Sequence, residues 1–156
     1  MKRNYNLETT VVEKKMARAL SVGVNASLKY ATEICNQVRG KPVKKVEAFL
    51  ERVLEKEEHL PLPRYNKKVA HRKGEAKEHT KSGRYPEKTV KVFLKLVQSA
   101  KANADYKGLD AEKLVVLHAF ASQAFGRPSY QNKGHISGKR RKTKSCHIEI
   151  VLLEAA

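Results

Sequence analysis

The sequence predicts three helices and three strands gathered on one core, with two cationic loops outside it. Three observations carry this: apolar stripes at helical spacing, apolar runs short enough for strands, and a concentration of positive charge where neither pattern exists. At 156 residues the chain is one domain by length, and it is long enough to bury a core without disulfides or metal.

Residues 14–24 read as a strand in which Leu20, Val22 and Val24 alternate with Ala19, Ser21 and Gly23. A helix from about Ser27 to Arg39 follows, with Ser27 placed to accept first-turn amides through its hydroxyl. Leu28, Ala31, Ile34, Cys35 and Val38 share one face, and Gly40 supplies the stop. Pro42 sits where a helix start tolerates proline. Behind it Val43, Val46, Phe49, Leu50, Val53 and Leu54 form a second stripe, and both stripes are core rather than cofactor boxes. Leu60-Pro61-Leu62-Pro63 breaks the helical pattern. A third helix runs from Pro86 to about Tyr106, burying Val90, Phe93, Leu94, Val97 and Ala100, with Gly108 at its end. The apolar runs 114–121 and 146–153 read as strands, the second with Ile148, Ile150 and Leu152 on one face. They form a natural antiparallel pair whose connection is far longer than a normal hairpin loop.

The charge is unevenly placed. Residues 61–84 carry eight basic and two acidic side chains, and residues 126–145 carry seven basic and none acidic. These 44 residues hold +13 of the formal +17, while the remaining 112 are close to an ordinary soluble domain. A solvated surface explains a near-even mixture of signs, not a two-to-one excess, so the partner expected is a polyanion. No apolar run approaches the ~20 residues of a membrane span. The basic start, Met1-Lys2-Arg3, leads into Leu7-Glu8-Thr9-Thr10 rather than an apolar signal core. Two cysteines are too few for a disulfide framework, and a reducing cytoplasmic compartment is expected.

Lysine and arginine neutralise phosphates, and arginine adds a planar fork that grips phosphate or stacks on a base. In the loops they alternate with rings and amides, as in Arg64-Tyr65-Asn66-Lys67-Lys68, His71-Arg72-Lys73, Arg84-Tyr85 and Tyr130-Gln131-Asn132-Lys133. Unpaired RNA bases stack on such rings. A reader of duplex DNA more often lays its cations along one helix, whereas the helices here carry mixed charge, so irregular folded RNA is the better match. The six histidines lack zinc spacing, and Cys146 and His147, adjacent on a strand, point to opposite faces. Cys35 reads as a small buried hydrophobe. No glycine-rich phosphate loop is present and no cofactor is expected. The enzymatic alternative, a metal-dependent nuclease using Glu75, Glu78 and loop histidines, has little behind it. A transient RNA chaperone is the nearer rival.

Specific strings sharpen this: Ser27-Leu28-Lys29-Tyr30-Ala31-Thr32-Glu33-Ile34-Cys35, Val38-Arg39-Gly40-Lys41, Leu60-Pro61-Leu62-Pro63-Arg64-Tyr65 and Val69-Ala70-His71-Arg72-Lys73-Gly74. Further on come Gly83-Arg84-Tyr85-Pro86, Asn103-Ala104-Asp105-Tyr106-Lys107-Gly108-Leu109-Asp110 and Cys146-His147-Ile148-Glu149-Ile150-Val151-Leu152. In this order, across residues 14–153, they resemble the universal large-subunit ribosomal protein family numbered twenty-two in bacteria and seventeen in eukaryotes, in its archaeal–eukaryotic form. The resemblance implies an α+β fold: a small three-stranded antiparallel sheet packed with three helices, plus a long protruding basic β-hairpin. It implies a non-enzymatic constituent of the cytoplasmic large ribosomal subunit that supports assembly. Its partners would be large-subunit rRNA, neighbouring ribosomal proteins and, near the hairpin tip, the nascent polypeptide in the exit tunnel. By position, the family's central rRNA-contacting stretch falls on Arg64, Lys67, Lys68, His71, Arg72, Lys73, Arg84 and Tyr85. The hairpin falls within 122–145, where Arg127, Lys133, Lys139, Arg140, Arg141, Lys142 and Lys144 are the RNA-binding candidates. At the tip, Gly134-His135-Ile136-Ser137-Gly138 stands where the family usually has a Pro-Arg-Ala string.

Overall fold

A computed structural model of the chain describes residues 5–7, 13–73 and 79–155. The elements run β1 (Met16–Val24), α1 (Leu28–Val38), α2 (Val43–Leu54), β2 (Leu60–Pro61), β3 (Gly83–Arg84), α3 (Glu87–Tyr106), β4 (Leu114–Gln123), β5 (Arg127–Tyr130), β6 (Arg140–Thr143) and β7 (Cys146–Glu154). The α+β class and the three helices stand as the sequence predicts. The main sheet is antiparallel with order β1-β7-β4, so the C-terminal strand is central.

Helix α3 packs on β1, α1 on β4, and α2 against α3. The face beneath them is built from large residues on the centre strand and small ones beside it. Ile148, Ile150 and Leu152 are fully buried, with Ala17 and Ala19 across from Leu152 and Ile150 on one side and Val116 and Ala119 on the other. Alternating large and small side chains lets helices close on the sheet at interior density.

This corrects the expected face of β1. Ala17 and Ala19 are buried there, while Leu20 is only partly covered and Val22 is 49 % exposed. The helices need small residues at this edge, and the larger apolar residues turn to the opposite face. Two β-bulges shape the sheet. Val22 and Gly23 together stand opposite His147, and an extra residue, Leu117, interrupts the pairing of β4 with β7. The second bulge reverses the inward parity of β4, from Leu114 and Val116 to Ala119, which is why that run shows no alternation in sequence.

Ser27 occupies the N-cap of α1, but its side chain makes no capping hydrogen bond, contrary to expectation. Its carbonyl accepts the Ala31 N–H, the first bond of the helix itself. Gly40 ends the helix at φ +76°, and its N–H donates to the Val116 carbonyl, tying the α1–α2 turn to the sheet edge. Phe93, Ile34, Leu50 and Leu60 are fully buried between the helices. No helix among the described residues is long and apolar enough to cross a membrane.

Candidate nucleic-acid interface

The first basic segment is less irregular than its sequence. Leu60–Pro61 pairs with Gly83–Arg84, and an isolated bridge joins His71 to Ser82, so the chain leaves and re-enters the core as a closed neck. Two-residue strands containing proline have no period to detect. The neck is held from below by Glu33, a fully buried carboxylate on α1. Its Oε1 accepts the backbone N–H of Arg64 at 3.0 Å and of Tyr65 at 2.8 Å. Sequence reasoning missed Glu33, because a charged residue beside an apolar helix stripe reads as solvated. The signal available was its position immediately next to Ile34, four residues before the equally buried Gln37.

Gly83 is the other fixed point. A Cβ there would lie 2.1 Å from Cδ2 of the buried His59 ring, so only glycine lets this strand pass. Beyond the neck the cations divide into two kinds. Arg72 donates through Nε to the Gly83 carbonyl, and Arg84 donates through Nη1 to the Ala70 and Gly83 carbonyls, so part of each guanidinium shapes the loop itself. Arg72 also lies 5.2 Å from the Tyr85 ring centroid, and Arg64 lies 5.6 Å from that of Tyr65, which Lys29 also approaches. Lys67, Lys68, His71 and Lys73 are exposed. Glu75 and Glu78, together with Gly74 and Lys77, lie outside the described residues.

The second segment forms a two-stranded ribbon, a sheet of its own that lies between β4 and β7 in the chain. Strand β5 pairs with β6 from Arg127 opposite Thr143 to Tyr130 opposite Arg140, and all eight residues are exposed. Cross-strand partners share a face. One face therefore carries Arg127, Ser129, Arg141 and Thr143, and the other carries Pro128, Tyr130, Arg140 and Lys142. Neither is an apolar face that needs burial within this chain. The Arg140 guanidinium lies 5.9 Å from the Tyr130 ring, and Arg141 donates to the Gln131 side-chain oxygen. Gly134 and Gly138, both at φ +82°, turn the tip, near which Lys133 and Lys139 are exposed. Lys144 is exposed just past β6.

The acids are spent elsewhere. Glu47 pairs with Lys101 between α2 and α3, Glu58 with Arg52, Glu87 with Lys56 and Glu112 with Lys44. Among the described residues none of the candidate cations of either segment has an acidic partner. Their charge is left for something outside the chain. No group of histidines, cysteines and acids suited to a metal ion occurs among the described residues. Cys35 and Cys146 are free and buried. Burial pushes the Cys35 thiol up to about 12 and raises that of Cys146 as well, so neither is a nucleophile at neutral pH.

A compact mixed sheet-and-helix core of mixed charge, bearing strongly cationic extensions, fits the build of a ribosomal protein. Comparison with known proteins makes the class specific. Residues 19–153 match the family of ribosomal protein L22p/L17e. The chain is 42% identical over 131 residues to large ribosomal subunit protein uL22 of Archaeoglobus fulgidus, covering 76% of this chain and 83% of that protein. It is 38% identical over 148 residues to uL22 of Ignicoccus hospitalis, at 85% and 93% coverage. With uL22 of Methanococcus aeolicus it shares 32% identity over 153 residues, at 98% and 97%. The chain belongs to the ribosomal protein L22p/L17e family. That membership disposes of the nuclease alternative, because the family is structural and non-enzymatic.

Proposed function

We propose that this chain is a structural constituent of the large ribosomal subunit in the cytoplasm. Large-subunit rRNA holds it through Arg64, Lys67, Lys68, His71, Arg72, Lys73, Arg84 and Tyr85 in the first segment. In the second, Arg127, Lys133, Lys139, Arg140, Arg141, Lys142 and Lys144 do the same. The core sets the two segments in place, and their cations relieve phosphate repulsion between RNA strands as the subunit assembles. The ribbon reaches inward as a projecting hairpin, and its tip helps line the nascent-peptide exit tunnel. One observation carries this reading. The ribbon has cations on both faces, no acid and no apolar face, so it suits insertion between polyanions rather than docking on a flat protein surface.

The test is sedimentation of the tagged chain, intact or lacking residues 127–143, from growing cells. The intact chain is expected with mature large subunits through moderate salt, and the shortened chain is expected to be depleted from them. Recovery of the intact chain free of subunits, or only with precursor particles, would favour the transient chaperone and sink this reading.

A further inference from the structure

Of the four phenylalanines, Phe93 is fully buried and Phe49 and Phe120 are partly covered, but Phe125 is 80 % exposed. It stands at the root of the ribbon, between the end of β4 and the start of β5. Its backbone is held there. Ala124 N donates to the Ser145 carbonyl at 3.1 Å, and the Ser145 hydroxyl donates to the Phe125 carbonyl. An exposed ring on a pinned backbone is a surface kept ready at small entropic cost for something flat.

Beside the ring lies a cleft of about 340 Å³, within the range of small-ligand pockets, shared by the ribbon root and the β1–α1 turn. Its lining includes Arg127, Asn25 and His147. Arg127 is exposed and has no ion pair among the described residues. The β1 bulge shapes the opposite wall. Gly23, at φ +64°, turns its N–H away from the strand ladder and donates to Nδ1 of His147 at 3.2 Å. With Nδ1 an acceptor, the neutral ring carries its proton on Nε2, leaving a donor of fixed tautomer. The exposed Asn25 amide adds a donor and an acceptor.

We propose that this cleft is a subsite for one unpaired nucleotide. The base stacks on Phe125, its edge meets His147 Nε2–H and the Asn25 amide, and its phosphate meets Arg127. The proposal rests on the rRNA-binding reading above and adds to it a place where a base, rather than the backbone alone, is engaged. A flat π face beside an unpaired guanidinium, in a segment with no acid, selects a nucleotide over an acidic peptide, which has nothing to stack on the ring.

The test uses the full chain with ring-labelled phenylalanine, followed by NMR during titration with adenosine 5′-monophosphate and, separately, adenosine. The Phe125 ring signals are expected to move while those of Phe49, Phe93 and Phe120 stay in place. Arg127→Ala should raise the midpoint severalfold for the monophosphate and leave that for adenosine unchanged. Phe125→Leu should weaken binding of a fluorescent single-stranded decauridylate about tenfold and leave the salt dependence intact, since stacking carries no charge. Phe125→Tyr should bind as the unaltered chain does. Phe125 signals that do not move, or a monophosphate midpoint indifferent to Arg127→Ala, would overturn the subsite. Retention of the intact chain on large subunits is read separately, so the rRNA reading stands or falls on its own.

Discussion

At the scale of single residues, the chain's most consequential side chain is an acid in a basic protein. Glu33 is buried, uses one oxygen to hold two loop amides, and has no partner for Oε2 among the described residues. Removing it strands the Arg64 and Tyr65 N–H groups. Glu33→Ala is therefore expected to lower unfolding free energy by about 1–3 kcal/mol, the usual range for a lost charge-assisted hydrogen bond. Urea denaturation measures this, and amide exchange should accelerate at Arg64 and Tyr65 before it does so in α1. Gly83→Ala is expected to cost about 1–3 kcal/mol, because the methyl group collides with the buried His59 ring. Cys35 supplies a reporter. Its thiol is near 12 in the folded chain against an ordinary 9.0, so it should resist alkylation at pH 8 until the chain unfolds. A folded pKa raised this way stabilises fully below about pH 9 and loses that contribution as pH rises from there toward 12. These details were poorly legible in the sequence. Burial of a carboxylate depends on which backbone arrives above it, and Arg64 is 31 residues away from Glu33.

At the scale of elements, legibility followed periodicity. All three helices lie within a residue or two of their predicted spans, because their apolar stripes repeat at 3.6 residues and glycine or proline stands near the ends. The strand β7 was equally plain, with Ile148, Ile150 and Leu152 on the helix-covered face. Strand β1 was found but its inward face was not, since alanine under a helix carries a weaker hydrophobic signal than the outward Leu20 and Val22. The pair β2–β3 has no apolar alternation, and only its hydrogen bonding reveals it. The hairpin that holds β5–β6 was expected from strand order and family resemblance rather than from periodicity. The central strand should carry the greatest mechanical weight: Ile150→Ala is expected to cost about 2–5 kcal/mol, the usual range for a fully buried large-to-small change, as read from the denaturation midpoint. The ribbon contributes charge rather than core. Replacing Lys139, Arg140, Arg141 and Lys142 together by glutamine should leave thermal stability nearly unchanged. It should also reduce the slope of log affinity for RNA against log salt by about three, as expected when four phosphate contacts are lost.

At the scale of the whole molecule, the arrangement is a division of labour between a core of mixed charge and strongly cationic extensions. Several of the core's acids pair with its own lysines and arginines across α2, α3 and their turns. The extensions hold most of the excess charge, and most of their described cations are exposed. Charge placement alone pointed to a polyanionic partner, and the ordered strings pointed to the family that the comparisons show. What charge counting could not supply was the difference between the two segments. One is a loop closed at its neck and clamped by Glu33, and the other is a ribbon with two cationic faces. The central claim is that rRNA holds this chain in the large subunit, with the ribbon set among RNA strands. Its most direct test is a crosslinking map from Lys139, Lys142 and Lys144 in intact large subunits. The account predicts adducts from all three to rRNA, including nucleotides that line the peptide exit tunnel. Adducts to protein alone, or only to rRNA on the outer surface of the subunit, would contradict it.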